Sequence, residues 1–434
     1  MAYVALRHSW HTNGSESRVY CLLRQATSHI LARNRPPTQM MREEVMTSAA
    51  YWPLPTGEPE ESGLCTRRLQ RIHTVMEGFV SARTIAGGIT AVARNGRLVH
   101  AACHGVMDAE QQIPMREDAL FRIHSMTKPI TTVAALMLYE ECAFFLDDPL
   151  QQYLPAFADA QVATTREDGT EELVEPWRPI TIHDVMTHTA GFTYDLVPKA
   201  PGRGWDLAAF VAQFARVPLI HQPGREWAYS ASHDVLGHLV EVISEQPLDV
   251  FLRERIFAPL GMTDTDFHVP PEKQDRLAVV YELDEEDHIV PAAPGGRDYL
   301  HKPRFFSGGG GLVASTADYL RFCLMLLNGG APDGQQLLSR KTVELMRQDH
   351  LPPGHPGIEP FKFGYGLGVS VLRSLGEKQG IGSVGEFGWG GAASTDMWID
   401  PVENMVSLVM MQLRPPRRLG LTKKIKDAMY QALV

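Results

Sequence analysis

The chain of 434 residues is 44% hydrophobic and 21% charged, an ordinary globular composition with length for two or three structural units. Its formal net charge of −10 speaks against a nucleic-acid backbone or an anionic membrane as partner. Cysteines 21, 65, 103, 142 and 323 are odd in number and lack a C-x-x-C pair, so a disulfide framework or zinc ribbon is disfavoured and reduced thiols in a cytoplasmic protein are expected.

The first 45 residues hold Arg7, Arg18, Arg24, Arg33, Arg35 and Arg42 against few acids, without the apolar core of a secretory signal. They read as a poorly ordered N-terminal extension, and Met40, Met41 and Met46 are alternative starts. Next comes a β-hairpin, with Ile89 to Arg94 and Leu98 to His104 flanking an Asn95-Gly96 turn. Ser125-Met-Thr-Lys128 then opens a helix running through Thr131 to Tyr139. The most apolar run, Thr131 to Leu146, is interrupted by Glu140 and Glu141 and is no membrane span. Between Pro149 and Pro303 short helices alternate with Pro/Gly-rich loops. Thr181 with Asp184 forms a capping box that Gly191 follows as a stop, and Ser232 caps a helix carrying Val235, Leu236, Leu239, Val240 and Ile243. The glycine run Gly308 to Gly311 leads to a helix capped by Ser315 and ended at Asn328-Gly329-Gly330. Strand signals return at Tyr365 to Leu372, Ala393 to Ile399 and Val406 to Leu413, and an amphipathic helix with Leu421, Ile425, Ala428, Met429 and Ala432 closes the chain. The predicted fold is α/β of the α+β type. An antiparallel sheet flanked by helices is built from 46–148 and 304–434, and 149–303 is an inserted, mostly helical domain.

Of ten lysines, Lys128 alone has a serine three positions before it. That spacing puts both on one helix face, with Ser125 at the N-terminus, where free N–H groups and the macrodipole favour developing negative charge. Burial and the positive end of the dipole are expected to lower the Lys128 pKa toward a neutral amine able to act as base, as a serine nucleophile needs. On spacing alone, a capping serine beside a solvated lysine is the better account of the pattern. Two later stretches decide between these: Pro223-Gly-Arg-Glu-Trp-Ala-Tyr229-Ser230, and Gly388-Trp389-Gly390-Gly391-Ala392.

Together these three stretches resemble the ordered motifs of the serine β-lactamase and penicillin-binding-protein superfamily. The likeness runs from about residue 65 to the C-terminus and includes His188-Thr-Ala-Gly191, Pro259-Leu-Gly-Met262 and Gly310 to Asp318. Within that superfamily the chain looks most like the class C-related carboxylesterases called family VIII. Where penicillin-binding enzymes carry an asparagine after the tyrosine or serine of their second motif, this chain has Ala231. Where they carry Lys-Thr-Gly, it has Trp389-Gly390-Gly391. Both departures favour an uncharged acyl ester over an anionic lactam. The resemblance implies an acyl-enzyme on Ser125 with Lys128 and Tyr229 as general base and acid. The protonation states of that pair stay open. An oxyanion hole from the backbone N–H groups of Ser125 and Ala392 and a substrate wall from Trp389, Gly390 and Gly391 are likewise implied, with no cofactor.

The remaining signals read as structural. Gly380 to Gly385 matches G-x-G-x-x-G, but a strand-like Glu386 to Gly390 follows it, which makes it a loop. Gly308 to Gly311 lacks a P-loop ending and suits close backbone approach. His183 with His188 and His233 with His238 are five apart, poor spacing for a metal. His124 reads as a packing neighbour, His188 as a helix-end residue satisfying loop carbonyls, Cys323 as core, and Trp227 as either core or pocket wall. The expected partner is a small-molecule ester, and oligomeric state is open. Alternatives to the esterase are a β-lactamase or D-amino-acid peptidase, an acyltransferase of the same fold, and a non-catalytic scaffold or sensor.

Overall fold

The Asn95-Gly96 turn forms with both residues at positive φ, 52° and 74°, which matches its twist to the flanking strands β1 (Gly87–Arg94) and β2 (Arg97–Asp108). The computed structural model describes residues 51–434 except 198–203, 294–296, 332–335, 359–362, 379 and 416–419; the N-terminal extension expected over 1–45 lies outside the described residues. The strands β3 (Ile113–Pro114), β4 (Gly364–Tyr365), β5 (Ser370–Val371), β6 (Phe387–Gly390), β7 (Asp396–Asp400) and β8 (Met405–Met411) complete an eight-stranded sheet ordered β4-β5-β6-β7-β8-β1-β2-β3. Every pairing in it is antiparallel. The first strand therefore sits beside the last, with Ile89 opposite Met410, Ala91 opposite Leu408 and Ala93 opposite Val406.

Strand periodicity assigns the two faces. Ile89, Ala91 and Ala93 join the large core around α2 (Thr127–Glu140), α3 (Ser232–Ser244) and α4 (Thr316–Leu327). Val92, with Met405, Val409 and Met411, joins a second core against α1 (Thr66–Ser81) and the terminal α5 (Leu421–Tyr430). Helix α2 is buried all round from Thr127 through Leu138, its polar first turns (Thr127, Lys128, Thr131, Thr132) included.

Three expectations need correction. Tyr365 to Leu372 is two short strands, because the chain folds back between Gly366 N–H and the Val369 carbonyl (2.7 Å), with Gly368 at φ +73°. The Val406 to Leu413 strand stops at Met411; Leu413–Arg414 pairs instead with Tyr281–Leu283 in a smaller sheet. Ser232 does not cap α3: Ala231 holds the cap position, and the Ser232 hydroxyl bonds Ser230 Oγ at 2.8 Å. The stretch from Pro149 to Pro303 carries the expected short helices and also two β-hairpins, Val162–Thr165 with Glu171–Val174 and Tyr281–Leu283 with Ile289–Pro291. The Thr181–Asp184 capping box is present, and Ser315 caps α4 through the Asp318 N–H.

Candidate active site

Ser125 is fixed from both sides of the chain. Before it, Leu120–Arg122 pairs with Val313–Ser315, and the Gln412 side chain bonds both the N–H and the carbonyl of Arg122, at 3.1 and 3.2 Å. After it begins α2. Between them, His124–Met126 makes one tight turn with His124 at φ +43°, a left-handed conformation that a non-glycine residue holds only under restraint. The Ser125 hydroxyl accepts from the Tyr229 phenol at 2.7 Å and from Lys128 Nζ at 3.3 Å.

Lys128 is fully buried, which rules out the solvated-lysine reading. Besides Ser125, its Nζ donates to the Gly309 carbonyl at 2.7 Å and to the Tyr194 hydroxyl at 3.3 Å. Three acceptors match the three N–H bonds of an ammonium. Burial alone would push its pKa down, but Tyr229, Tyr194 and the Asp234 carboxylate outweigh burial and hold it above the usual lysine range. The expectation of a lowered lysine pKa is therefore overturned: the surrounding acceptors and charges favour the cation. Nζ lies 4.6 Å from the centroid of the Tyr229 ring.

The glycine run supplies one of those acceptors. Asp234 accepts from the Gly309 N–H at 3.1 Å and from the Ser307 hydroxyl, fixing the peptide whose carbonyl faces Lys128. A Cβ on Gly309 would lie 2.8 Å from that carboxylate, and one on Gly308 would lie 2.4 Å from the His233 carbonyl, so the run does allow close backbone approach. Tyr229, just ahead of α3, is walled by Tyr194, Trp227, Trp389 and His188, with ring centroids 5.3, 6.0, 5.6 and 4.9 Å away. His188 is thus not the helix-end carbonyl partner expected. It is buried at φ +58°, bonds Ser230 Oγ through Nδ1 at 3.2 Å, and is held neutral by burial.

Trp389 and Gly390 end β6, whereas Gly391 and Ala392 fall in the turn after it. A Cβ on Gly391 would lie 2.2 Å from Thr395 Oγ1 and 2.4 Å from the Ile123 carbonyl, which makes glycine the side chain that fits where this turn meets the Ser125 segment. A cavity of about 450 Å³ opens here, lined by Ser125, Trp227, Tyr229, Trp389, Gly390, Gly391 and the exposed Ala392. All seven residues singled out from sequence, Ser125, Lys128, Tyr229, Trp389, Gly390, Gly391 and Ala392, gather at this one place, with Lys128 beneath the floor rather than in the lining. Trp227 takes its pocket-wall role. The lining also carries Lys378, Lys423 and Lys426 with Glu386 and Asp427, so the cavity is less apolar than expected. Tyr194 and Asp234 escaped the sequence reading because neither lies in a recurrent motif; Asp234, two residues into α3, was the more accessible of the two.

The fold is that of a serine-hydrolase architecture, and the chain belongs to the Beta-lactamase family, whose profile matches residues 72–429. The chain is 29% identical to Esterase EstB of Burkholderia gladioli over 390 residues, 83% of this chain and 94% of that protein. It is 35% identical to Protein Rv1367c of Mycobacterium tuberculosis over 356 residues, 77% of this chain and 87% of that protein. Among solved structures it is similar to EstCE1, described as a hydrolase with promiscuous acyltransferase activity, at 27% identity and a TM-score of 0.71 over 84% of this chain and 99% of that one. Simvastatin synthase LovD from Aspergillus terreus matches at 25% identity and a TM-score of 0.71, over 84% and 98%. The family and its esterase relatives support a hydrolase. No helix among the described residues is long and apolar enough to cross a membrane.

Proposed function

We propose that the protein is a serine carboxylesterase of the family VIII kind, acting on small-to-medium acyl esters through an acyl-enzyme on Ser125. The observation that carries this reading is the 2.7 Å contact between the Tyr229 and Ser125 oxygens above a buried, three-acceptor Lys128. In the reacting form Tyr229 has given its phenol proton to solvent and is a phenolate, so the contact runs with Ser125 donating. The proton crosses to Tyr229 as Oγ attacks the ester carbonyl carbon. Lys128 remains an ammonium and faces the negative charge that passes between the two oxygens. The carbonyl oxygen becomes an oxyanion held by the backbone N–H groups of Ser125 and Ala392; losing one such donor typically costs about 10²–10³ in rate. Tyr229 returns the proton to the departing alkoxide, and water repeats the sequence to release the acid and restore Ser125.

The cavity of about 450 Å³ and its aromatic wall suit an acyl group of modest size. An alcohol in place of water would make the same acyl-enzyme an acyltransferase, a second reading supported by the likeness to EstCE1 and LovD. Four described cysteines are free thiols, in keeping with a cytoplasmic location. The test is titration with an alkyl fluorophosphonate read by intact mass. One adduct per chain on wild type and none on Ser125→Ala is expected; an unlabelled wild type would favour the non-catalytic scaffold.

A further inference from the structure

On the sheet face opposite α2, two histidines and a glutamate converge with no part in the chemistry above. His73 and Glu77 are one turn apart on α1, and His104 projects toward them from β2. One ligand atom from each lies within 4.8 Å of the other two, the single such trio among the described residues. His104 is buried, 1% exposed, and its Nδ1 has no hydrogen-bond partner. That nitrogen lies 3.6 Å from Glu77 Oε1, too far for a hydrogen bond, and the two rings stand 5.5 Å apart between centroids.

The other side of His104 explains where its lone pair points. Thr90 Oγ1 meets His100 Nε2 at 2.8 Å and His104 Nε2 at 3.1 Å. A hydroxyl has one hydrogen, so one of the two rings must donate to it. When His104 donates through Nε2, its Nδ1 carries a lone pair aimed at Glu77 and His73. In the opposite arrangement the Nδ1–H faces Glu77 Oε1 at 3.6 Å, an attraction beyond hydrogen-bond reach, and a bound cation between these groups would select the first arrangement. An imidazole whose far nitrogen is tied to an outer hydrogen-bond partner is the usual setting of a metal-bound histidine.

We propose that His73, Glu77 and His104 form a binding site for a divalent transition metal of the zinc type, clipping α1 to β2, with a fourth position open to water. Two imidazoles and a carboxylate are a ligand set that suits zinc. Ligand atoms around a tetrahedral zinc stand about 3.3 Å apart, so the 3.6 Å Glu77–His104 edge needs only a slight closing. His73 and Glu77 are half-buried and supply the remaining adjustment by rotamer.

The test uses the full chain, stripped of metal, with Zn²⁺ in equilibrium dialysis and Co²⁺ as the spectroscopic probe. The full chain matters because His8, His11, Cys21 and His29 offer competing ligands. Wild type should bind one equivalent of Zn²⁺ that raises its melting temperature, and Co²⁺ should give a tetrahedral d–d spectrum without a thiolate charge-transfer band. His73→Ala and Glu77→Gln should each weaken that equivalent at least tenfold and abolish the melting shift, while hydrolysing ester as wild type does. Absence of a bound equivalent would overturn the assignment. So would Zn²⁺ binding that both variants retain, or a thiolate band marking a cysteine ligand.

Discussion

Gly391→Ala tests whether the turn after β6 holds the nucleophile segment in place. The added methyl would sit 2.4 Å from the Ile123 carbonyl oxygen and 2.2 Å from Thr395 Oγ1, where a real Cβ needs at least about 3.0 Å. Thr395 can rotate away, but the Ile123 oxygen is backbone, so the turn and the segment two residues ahead of Ser125 must part by at least about 0.6 Å. Overpacking of this kind costs about 1–3 kcal/mol of stability. Displacements approaching 1 Å at a reacting centre can cost about 10² in rate, so kcat/KM for p-nitrophenyl butyrate should fall about 10- to 100-fold. Stopped ester hydrolysis and a thermal melt, run beside Gly376→Ala, give the comparison. At Gly376 a Cβ would meet its nearest neighbour at 3.9 Å, so that variant should behave as wild type. A folded Gly391→Ala protein with undiminished kcat/KM would refute the argument that this contact positions the site.

Lys128→Ala and Tyr229→Phe should each lower kcat by several orders of magnitude, and neither should add to Ser125→Ala; additive losses in the double variants would separate these residues from the nucleophile. Tyr194→Phe removes one of the three Lys128 acceptors and should cost about tenfold in kcat/KM, the scale of one hydrogen bond to a charged group; full activity would make Tyr194 packing only. Butyrate ester should be turned over far faster than a cephalosporin or benzylpenicillin if, as the resemblance implies, Trp389 replaces a lysine that would pair the lactam carboxylate, a contact worth about 1.5–3 kcal/mol; equal kcat/KM would discard that reasoning. His188 and His233 are buried and held neutral, their pKa values well below the ordinary 6.5. Their contribution to stability is therefore complete above about pH 6.5 and lost as pH falls below it, by up to about 1.4 kcal/mol per unit per histidine. Melting temperatures at pH 8, 6.5 and 5 should fall in that order, and a flat profile would contradict it.

Sequence reached furthest where a local rule and a motif coincide. Asn95-Gly96 fixes a hairpin through its own dihedrals, and the Thr181–Asp184 box caps its helix without distant help. That Ser125, Lys128 and Tyr229 come together was legible for a different reason: their residue types and spacing match a family pattern, and the 2.7 and 3.3 Å contacts follow once the fold brings α2 to the start of α3. What escaped was tertiary. The charge state of Lys128 depends on Gly309, Tyr194 and Asp234, none of them near it in sequence. The early end of the last strand depends on Gln412 turning its side chain to the Arg122 backbone, an attraction no period-two pattern records.

The pairing of the first strand with the last also sets an order of events during synthesis. β1 and β2 emerge from the ribosome as a hairpin whose β1 edge lacks its neighbour until β8 arrives, some 310 residues later. At about 5–20 residues per second that interval is roughly 15–60 s, during which an apolar edge bearing Ile89, Ala91 and Ala93 stays open to other chains. A message truncated before codon 405 should therefore yield an aggregating product rather than a smaller folded one, even though every residue of the Ser-Lys-Tyr cluster would already have been translated.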